Sequence, residues 1–346
     1  MLKKLSAAAL CLCLLFTSGC SLKKDAESSL PDTSAVQPSE PEKPAAVYYN
    51  PLTGLSGISA DKVKTRPVAI MVNNISVAQG VQCGLSAADI IFETEVEGGI
   101  TRLLAVYQDV SAVDRIGPVR SARYAYIDLA MGLNAVYCHH GQDPTYAKPH
   151  LKDTDDFTID ENNSGKRIAN GKAKEHTLYT FGSTLWEKLS TNRTVSGGTG
   201  KQIFNFASEE QNVSLAGGAA NAVTVPFSKQ QTTSFEYDAA SGKYICKTNG
   251  TARKDYVSGA GVSAKNVFVL LTDISDYPDG YHRRVDLNSG SGYYITNGTY
   301  TQISWSKGAA KNAFAFTAAD GSPLTVSAGN SYICIADRSK SQPSIV

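Results

Sequence analysis

The chain has 346 residues, with 33 lysines and arginines against 32 aspartates and glutamates and a net charge of +1. This balance excludes nucleic-acid binding through a bulk field, so any electrostatic recognition must be local. The body beyond the N-terminal segments exceeds the size at which one core normally keeps growing, which points to two domains.

Lys3 and Lys4 precede an apolar run from Leu5 to Phe16 that ends in Thr17-Ser18-Gly19-Cys20. A basic start, a run too short to span a bilayer and small residues before a cysteine read as a lipoprotein signal peptide over residues 1–20. The membrane, reached through a lipid on Cys20, is then the first partner, and the location is extracytoplasmic. Ordinary secretion with cleavage nearby and an uncleaved anchor are the alternatives. Residues 21–47 are rich in Ser, Pro, Glu and Lys. They hold too few large apolar side chains to offset chain entropy and form a tether that reaches roughly 30 Å as a coil. Four cysteines follow, Cys83, Cys138, Cys246 and Cys334. Cys138 lies in an apolar run and reads as core, whereas Cys246 and Cys334 sit in strand-like runs where a disulfide and two buried thiols both fit.

Residues 48–212 mix strand and helix signals. Pro67–Val72 is a short apolar run, and Ile90–Val96 leads into Gly98-Gly99, which fits a two-residue hairpin turn. Pairing outward from that turn sets Glu97 against Ile100, Glu95 against Arg102 and Glu93 against Leu104. The three glutamates would share one face, open to a cation or to an ion pair with Arg102. Further on, Ser121–Met131, Thr145–Leu151 and Gly182–Leu189 read as helices and Asn134–Cys138 as a strand.

Arginine is concentrated where a helix should least want it. Arg115, Arg120 and Arg123 bracket Gly117-Pro118, with Ser121 as the expected N-cap. A helix N-terminus carries partial positive charge, so cations gathered there cost free energy unless an anion or a carboxylate sits among them. The candidate ligand-binding residues are Arg102, Arg115, Arg120, Ser121, Arg123, His140 and His176, facing a phosphate or carboxylate. The alternative is internal pairing of the arginines with Asp109, Asp114, Asp128 or the glutamates. His139 and His140 emerge at a strand end, as bases, metal ligands or a satisfied pair. Residues 195–201 (VSGGTGK) superficially resemble a phosphate loop but lack its first glycine and the Ser or Thr after the lysine. No cofactor and no metal site is assigned.

After residues 214–221 the pattern changes, and residues 213–342 read as short strands separated by turns. They are Val223–Phe227, Ser234–Tyr237, Tyr244–Lys247, Val267–Leu271, Gly292–Thr296, Gln302–Trp305, Ala313–Phe316 and Tyr332–Ile335. The fold class is therefore α/β or α+β, an α/β sandwich domain followed by a small, mostly antiparallel β domain.

NPLTGL (Asn50–Leu55), RPVAIMVNN (Arg66–Asn74), GLSAADI (Gly84–Ile90), EGGITRLLAVY (Glu97–Tyr107) and RIGPVRSAR (Arg115–Arg123) recur in an order that resembles the YerB-like bacterial lipoproteins. EHTLYT (Glu175–Thr180), GYYITNG (Gly292–Gly298) and ISWSKG (Ile303–Gly308) fit the same family, which is defined by a domain of unknown function. Between Ser76 and Gln82 the chain has SVAQGVQ where such proteins carry a proline-containing loop. In feature order alone, the arginine segment also loosely resembles the LytR-CpsA-Psr envelope transferases, which bind polyprenyl-linked pyrophosphates through arginines. The expected function is a membrane-anchored envelope lipoprotein that binds an anionic ligand, with binding favoured over catalysis. The alternatives are a phosphotransferase on lipid-linked glycans, with Asp128 or Asp143 helping to hold metal, and a structural or partner-binding envelope protein.

Overall fold

A computed structural model describes residues 46–192, 195 and 198–346, so the signal peptide, Cys20 and the tether up to residue 45 lie outside the described residues. Strands form where alternate side chains find a buried layer on each side of a sheet. In β1 (Val68–Asn73), Val68, Ile70 and Val72 enter one core while Ala69 and Met71 enter the other, as period-two geometry requires.

The first half of the chain continues through α1 (Ala60–Val63), which precedes β1, then α2 (Ser76–Gln79), β2 (Ile90–Glu95), β3 (Thr101–Tyr107), α3 (Tyr124–Gly132), β4 (Val136–His139) and α4 (Ala147–His150). It ends with β5 (Asp156–Thr158), β6 (Gly165–Arg167), β7 (Leu178–Thr180) and α5 (Gly182–Asn192). The second half is almost entirely strand. It runs β8 (Asn205–Phe206), β9 (Ala222–Pro226), β10 (Thr232–Asp238), β11 (Lys243–Thr248), β12 (Thr251–Ala252), β13 (Ser263–Ala264), β14 (Asn266–Thr272), β15 (Ile274–Asp276) and β16 (Arg283–Val285). Then come β17 (Ser289–Thr296), β18 (Thr299–Ser306), β19 (Ala315–Ala318), β20 (Thr325–Val326), β21 (Ser331–Asp337) and β22 (Ser344–Ile345).

Ten strands make one mixed sheet in the order β19-β18-β17-β14-β21-β2-β3-β1-β4-β5. A second, antiparallel sheet runs β12-β11-β10-β9-β22, with β13 also on β11. The large sheet crosses the expected boundary at residue 213, because β21 pairs in parallel with both β2 and β14. One face packs against α5, through Leu185 and Leu189, and against the second sheet, through Val225, Phe235 and Cys246. The other face is covered by α3, through Tyr126, Ile127 and Ala130, and by an aromatic group of Phe204, Phe314 and Phe316.

Several local expectations are corrected. The Gly98-Gly99 turn is wider than two residues: Glu97–Gly99 forms a 3-10 turn closed by the Val96 N–H on the Ile100 carbonyl, at 2.9 Å. The register therefore slips by one, with Glu95 opposite Thr101, Thr94 opposite Arg102 and Glu93 opposite Leu103. The helix starts three residues late, at Tyr124, with extended Arg123 as its N-cap and no side-chain cap. Ser121 cannot take that place, because the Ala122 N–H is bonded to the Gly141 carbonyl (2.9 Å) and holds this stretch extended. Cys246 and Cys334 lie in different sheets as buried thiols and form no disulfide, and Cys83 and Cys138 are buried in the core; burial pushes the Cys246 thiol up to about 12.

Candidate functional site

β1, β2, β4, β5, β14 and β21 all run in one direction, as their parallel pairings and the antiparallel partners of β3 require. Their C-terminal ends bring Asn73, Glu95, His139, Thr158, Thr272 and Asp337 to one edge of the sheet. In open α/β sheets ligands bind outside this carboxyl edge. The arginine segment is held there by backbone pairing. Arg120 N–H donates to the Met71 carbonyl at 3.0 Å and His140 N–H to the Arg120 carbonyl at 3.0 Å, so the segment wedges between the diverging ends of β1 and β4. Gly117 makes the approach feasible: its φ is +139°, and a Cβ there would lie 2.9 Å from the Leu178 carbonyl oxygen.

The carboxylate among the cations is Glu97. Its Oε1 accepts from Arg102 Nη2 at 3.0 Å and from Arg123 Nη2, and its Oε2 accepts from Arg123 Nε at 2.8 Å. Arg102 is 3 % exposed and Glu97 7 %. Burial alone would raise the Glu97 carboxyl, but the Arg123 hydrogen bonds and the charges of Arg102 and Arg123 outweigh it and hold the group down at about 2. Burial and the neighbouring Arg123 lower Arg102 to about 10. Arg102 also donates to the Ser121 carbonyl at 2.7 Å, and Arg123 to that of Ala122 at 2.9 Å. Both cations expected to face a ligand are thereby engaged inside the protein, and the sequence pairing of Arg102 with Glu95 is replaced by one with Glu97. Glu95 instead meets Arg283, at 3.0 Å.

Arg115 takes no part in this cluster, since its guanidinium lies over Tyr179 and Phe181, 5.6 and 5.7 Å from the ring centroids. Arg120 is different. Its Nη1 donates to the Glu175 carbonyl at 3.1 Å and lies 3.5 Å from the exposed Glu175 carboxylate, while its buried Nε has no hydrogen-bond partner among the described residues. Beside it, Arg167 donates to the Lys174 carbonyl at 2.7 Å and approaches His140 Nε2 at 3.4 Å. His140 Nδ1 donates to the Ile159 carbonyl at 2.7 Å, which leaves Nε2 as acceptor. His176 accepts from Asn73 Nδ2 at 2.8 Å, and burial foremost lowers its pKa. Arg120 and Arg167 thus converge on the turn Lys174–His176, with His140 against Arg167, whereas the Ser121 carbonyl is turned to Arg102.

The acids proposed for metal are engaged elsewhere. Asp128 pairs with His150 at 2.5 Å, and Asp143 caps α4 by accepting from the backbone of Thr145, Tyr146 and Ala147 while pairing with His282 at 3.2 Å. His139 is buried, with Nδ1 2.8 Å from the Gly141 carbonyl and Nε2 3.2 Å from Asp156. Sequence reasoning missed Arg167 and the aromatic residues Tyr124, Tyr146 and Tyr277, which gather beside Arg123. The signal for the last was the density of Asp, Tyr and Arg in residues 273–286, on either side of a Pro-Asp-Gly turn.

Two family models match, described as the N-terminal and C-terminal domains of a protein of unknown function, DUF3048, over residues 52–196 and 223–333. YerB of Bacillus subtilis (strain 168), provisionally named a lipoprotein, is 29% identical over 316 residues, 88% of this chain and 87% of that protein. The crystal structure of YerB from Bacillus subtilis superposes with a TM-score of 0.74 at 26% identity, covering 86% of this chain and 99% of the other. The chain belongs to the DUF3048, YerB-like family.

Proposed function

We propose that this family member is a membrane-tethered extracytoplasmic binding protein that holds the anionic group of an envelope ligand at Arg120, flanked by Arg167 and His140. The tether rests on the Lys3-Lys4 start, the apolar run and Cys20, and the name of the YerB relative agrees with it.

The observation that carries the anion reading is the contrast among the arginines. Arg102 and Arg123 share the buried Glu97, whereas Arg120 has only a long contact to a carboxylate whose side chain is 60% exposed. A pair of that kind contributes about 0–1 kcal/mol. An incoming phosphate or carboxylate displaces the Glu175 carboxylate from Nη1 and meets the guanidinium there, a group well matched to such anions. The lowered pKa of His176 keeps that ring neutral near neutral pH, so the charge of the site comes from the arginines.

The test is calorimetric titration of the full chain with inorganic pyrophosphate and with undecaprenyl phosphate in micelles. Arg120→Gln should weaken binding at least about tenfold, on the order of 1.5 to 3 kcal/mol for one charge-assisted contact. Absence of binding by the wild type, or binding indifferent to Arg120→Gln, overturns the reading. Cys20→Ala should separately abolish incorporation of a fatty-acid probe, and unchanged labelling would remove the tether.

A further inference from the structure

At the start of α3, where Tyr124 follows Arg123, lies a cleft of about 710 Å³, within the range of small-molecule sites, roughly 300–1,000 Å³. Its wall is aromatic and fixed. Tyr277, from the β15–β16 hairpin, stacks on Tyr146 with centroids 3.9 Å apart and planes at 20°. Tyr124, from the first turn of α3, stacks on His150 at 4.1 Å and 5° and tilts toward Tyr277 at 6.3 Å. Rings held by their neighbours present their faces with little conformational entropy left to lose.

The rim is polar and carries hydrogen-bonding capacity of both kinds. Asp128 Oδ1 is held by His150 and Asp286 Oδ1 by the Asn288 N–H at 2.9 Å, while the second oxygen of each carboxylate accepts no hydrogen bond among the described residues. Arg284 lines the same cleft and makes no ion pair among the described residues, and the Asn288 side chain is likewise without a hydrogen bond there. Carboxylate acceptors beside guanidinium and amide donors suit groups that both donate and accept, which hydroxyls do. Asp273 is paired with Arg338 at 2.9 Å and Lys307 acts on Asp128, so the cleft has no excess of positive charge to draw in phosphate, sulfate or carboxylate. This is a different chemistry from that of the Arg120 rim.

We propose that the cleft binds a saccharide free of anionic groups, with a ring face against the tyrosines and its hydroxyls shared among Asp128, Asp286, Arg284 and Asn288. The site is independent of Arg120. The experiment is titration of the full chain with two neutral tetrasaccharides, β1,4-linked N-acetylglucosamine and α1,4-linked glucose, and with spermine as a cationic probe. At least one tetrasaccharide should bind in the millimolar range or tighter. Tyr277→Ala should weaken it about tenfold or more, as loss of an aromatic anchor does, and Asn288→Ala, at an exposed position, should weaken it severalfold. Tyr281→Ala, 57% exposed on the same hairpin, and Arg120→Gln should leave it unchanged. Failure of both tetrasaccharides, preference for spermine, or binding that survives both Tyr277→Ala and Asn288→Ala overturns the proposal.

Discussion

Glu93 and Glu97 stand four residues apart on the same strand and its exit, and the protein treats them in opposite ways. Glu93 is wholly buried between the two sheets, where its oxygens accept from Asn74 (2.9 Å), Thr101 (2.6 Å), Gln231 (3.1 Å), Thr233 (2.9 Å) and Tyr332 (2.6 Å). Every one of those donors is neutral, and the nearby buried Arg253 is linked to them through Asn74 Oδ1, at 2.6 Å. Glu97, beyond the end of β2, is neutralised directly by two arginines. The interior therefore stabilises a carboxylate with oriented dipoles drawn from both halves of the chain, whereas the sheet edge uses charge against charge. The first arrangement fixes how the sheets meet, because Thr233 belongs to the second sheet and Gln231 to the turn that leads into its strand β10; the second fixes the geometry of the ligand-facing edge.

The largest effect should come from the interior. Glu93→Ala leaves four donors, Thr101, Gln231, Thr233 and Tyr332, without an acceptor, and each unsatisfied buried group costs about 1–3 kcal/mol. Their sum approaches the whole stability of an ordinary domain, about 5–15 kcal/mol. Chemical denaturation should find the variant unfolded or with a strongly reduced midpoint. A loss under about 2 kcal/mol would mean that the network contributes little to joining the sheets.

Glu97→Gln should cost less, about 3–5 kcal/mol, because it strands Arg102 and Arg123 without their counter-ion at a partly solvated edge. Its pH signature is distinctive. The folded pKa, about 2, lies below the ordinary 4.5, so the contribution is complete above about pH 4.5 and is lost as pH falls from there toward 2. Wild-type stability should fall through that window, and Glu97→Gln should fall less steeply over it. Parallel acid limbs for the two proteins would show that Glu97 gains nothing from its arginines.

How much of this was legible in the sequence follows from the range of each interaction. The strands were, because alternation such as Val68, Ile70 and Val72 against Ala69 and Met71 is a local signal. The family was, through motifs such as RIGPVRSAR and EGGITRLLAVY. The arginine density was legible too, but its partner was not: Glu97 reaches Arg123 only because a 3-10 turn displaces it from the ladder, and a two-residue turn would have pointed Arg102 at Glu95. The shared sheet was hidden because β21 enters beside β2 from about 240 residues away, as in Glu93↔Cys334, and no local pattern encodes such pairing. The tyrosine cleft was hidden for the same reason, with Tyr124 and Tyr277 meeting across the two halves.

The smallest effect on stability should come from Arg120, and it separates the edge's structural cations from its ligand-facing one. Arg120→Ala removes a hydrogen bond to the Glu175 carbonyl and a 3.5 Å contact to an exposed carboxylate. It also removes a buried Nε that has no hydrogen-bond partner among the described residues, and that deletion is favourable in itself. The two contributions oppose each other, so the melting temperature should change by no more than a few degrees, the equivalent of about 1 kcal/mol or less. Arg123→Ala, measured alongside, should cost about 1.5–3 kcal/mol because Glu97 loses two charge-assisted hydrogen bonds while keeping Arg102. Equal losses for the two variants would place Arg120 among the structural arginines and end its role as the residue awaiting an anion, whereas a stable Arg120→Ala with impaired anion binding would keep Glu97 as the cluster's internal anion and leave Arg120 for the external one.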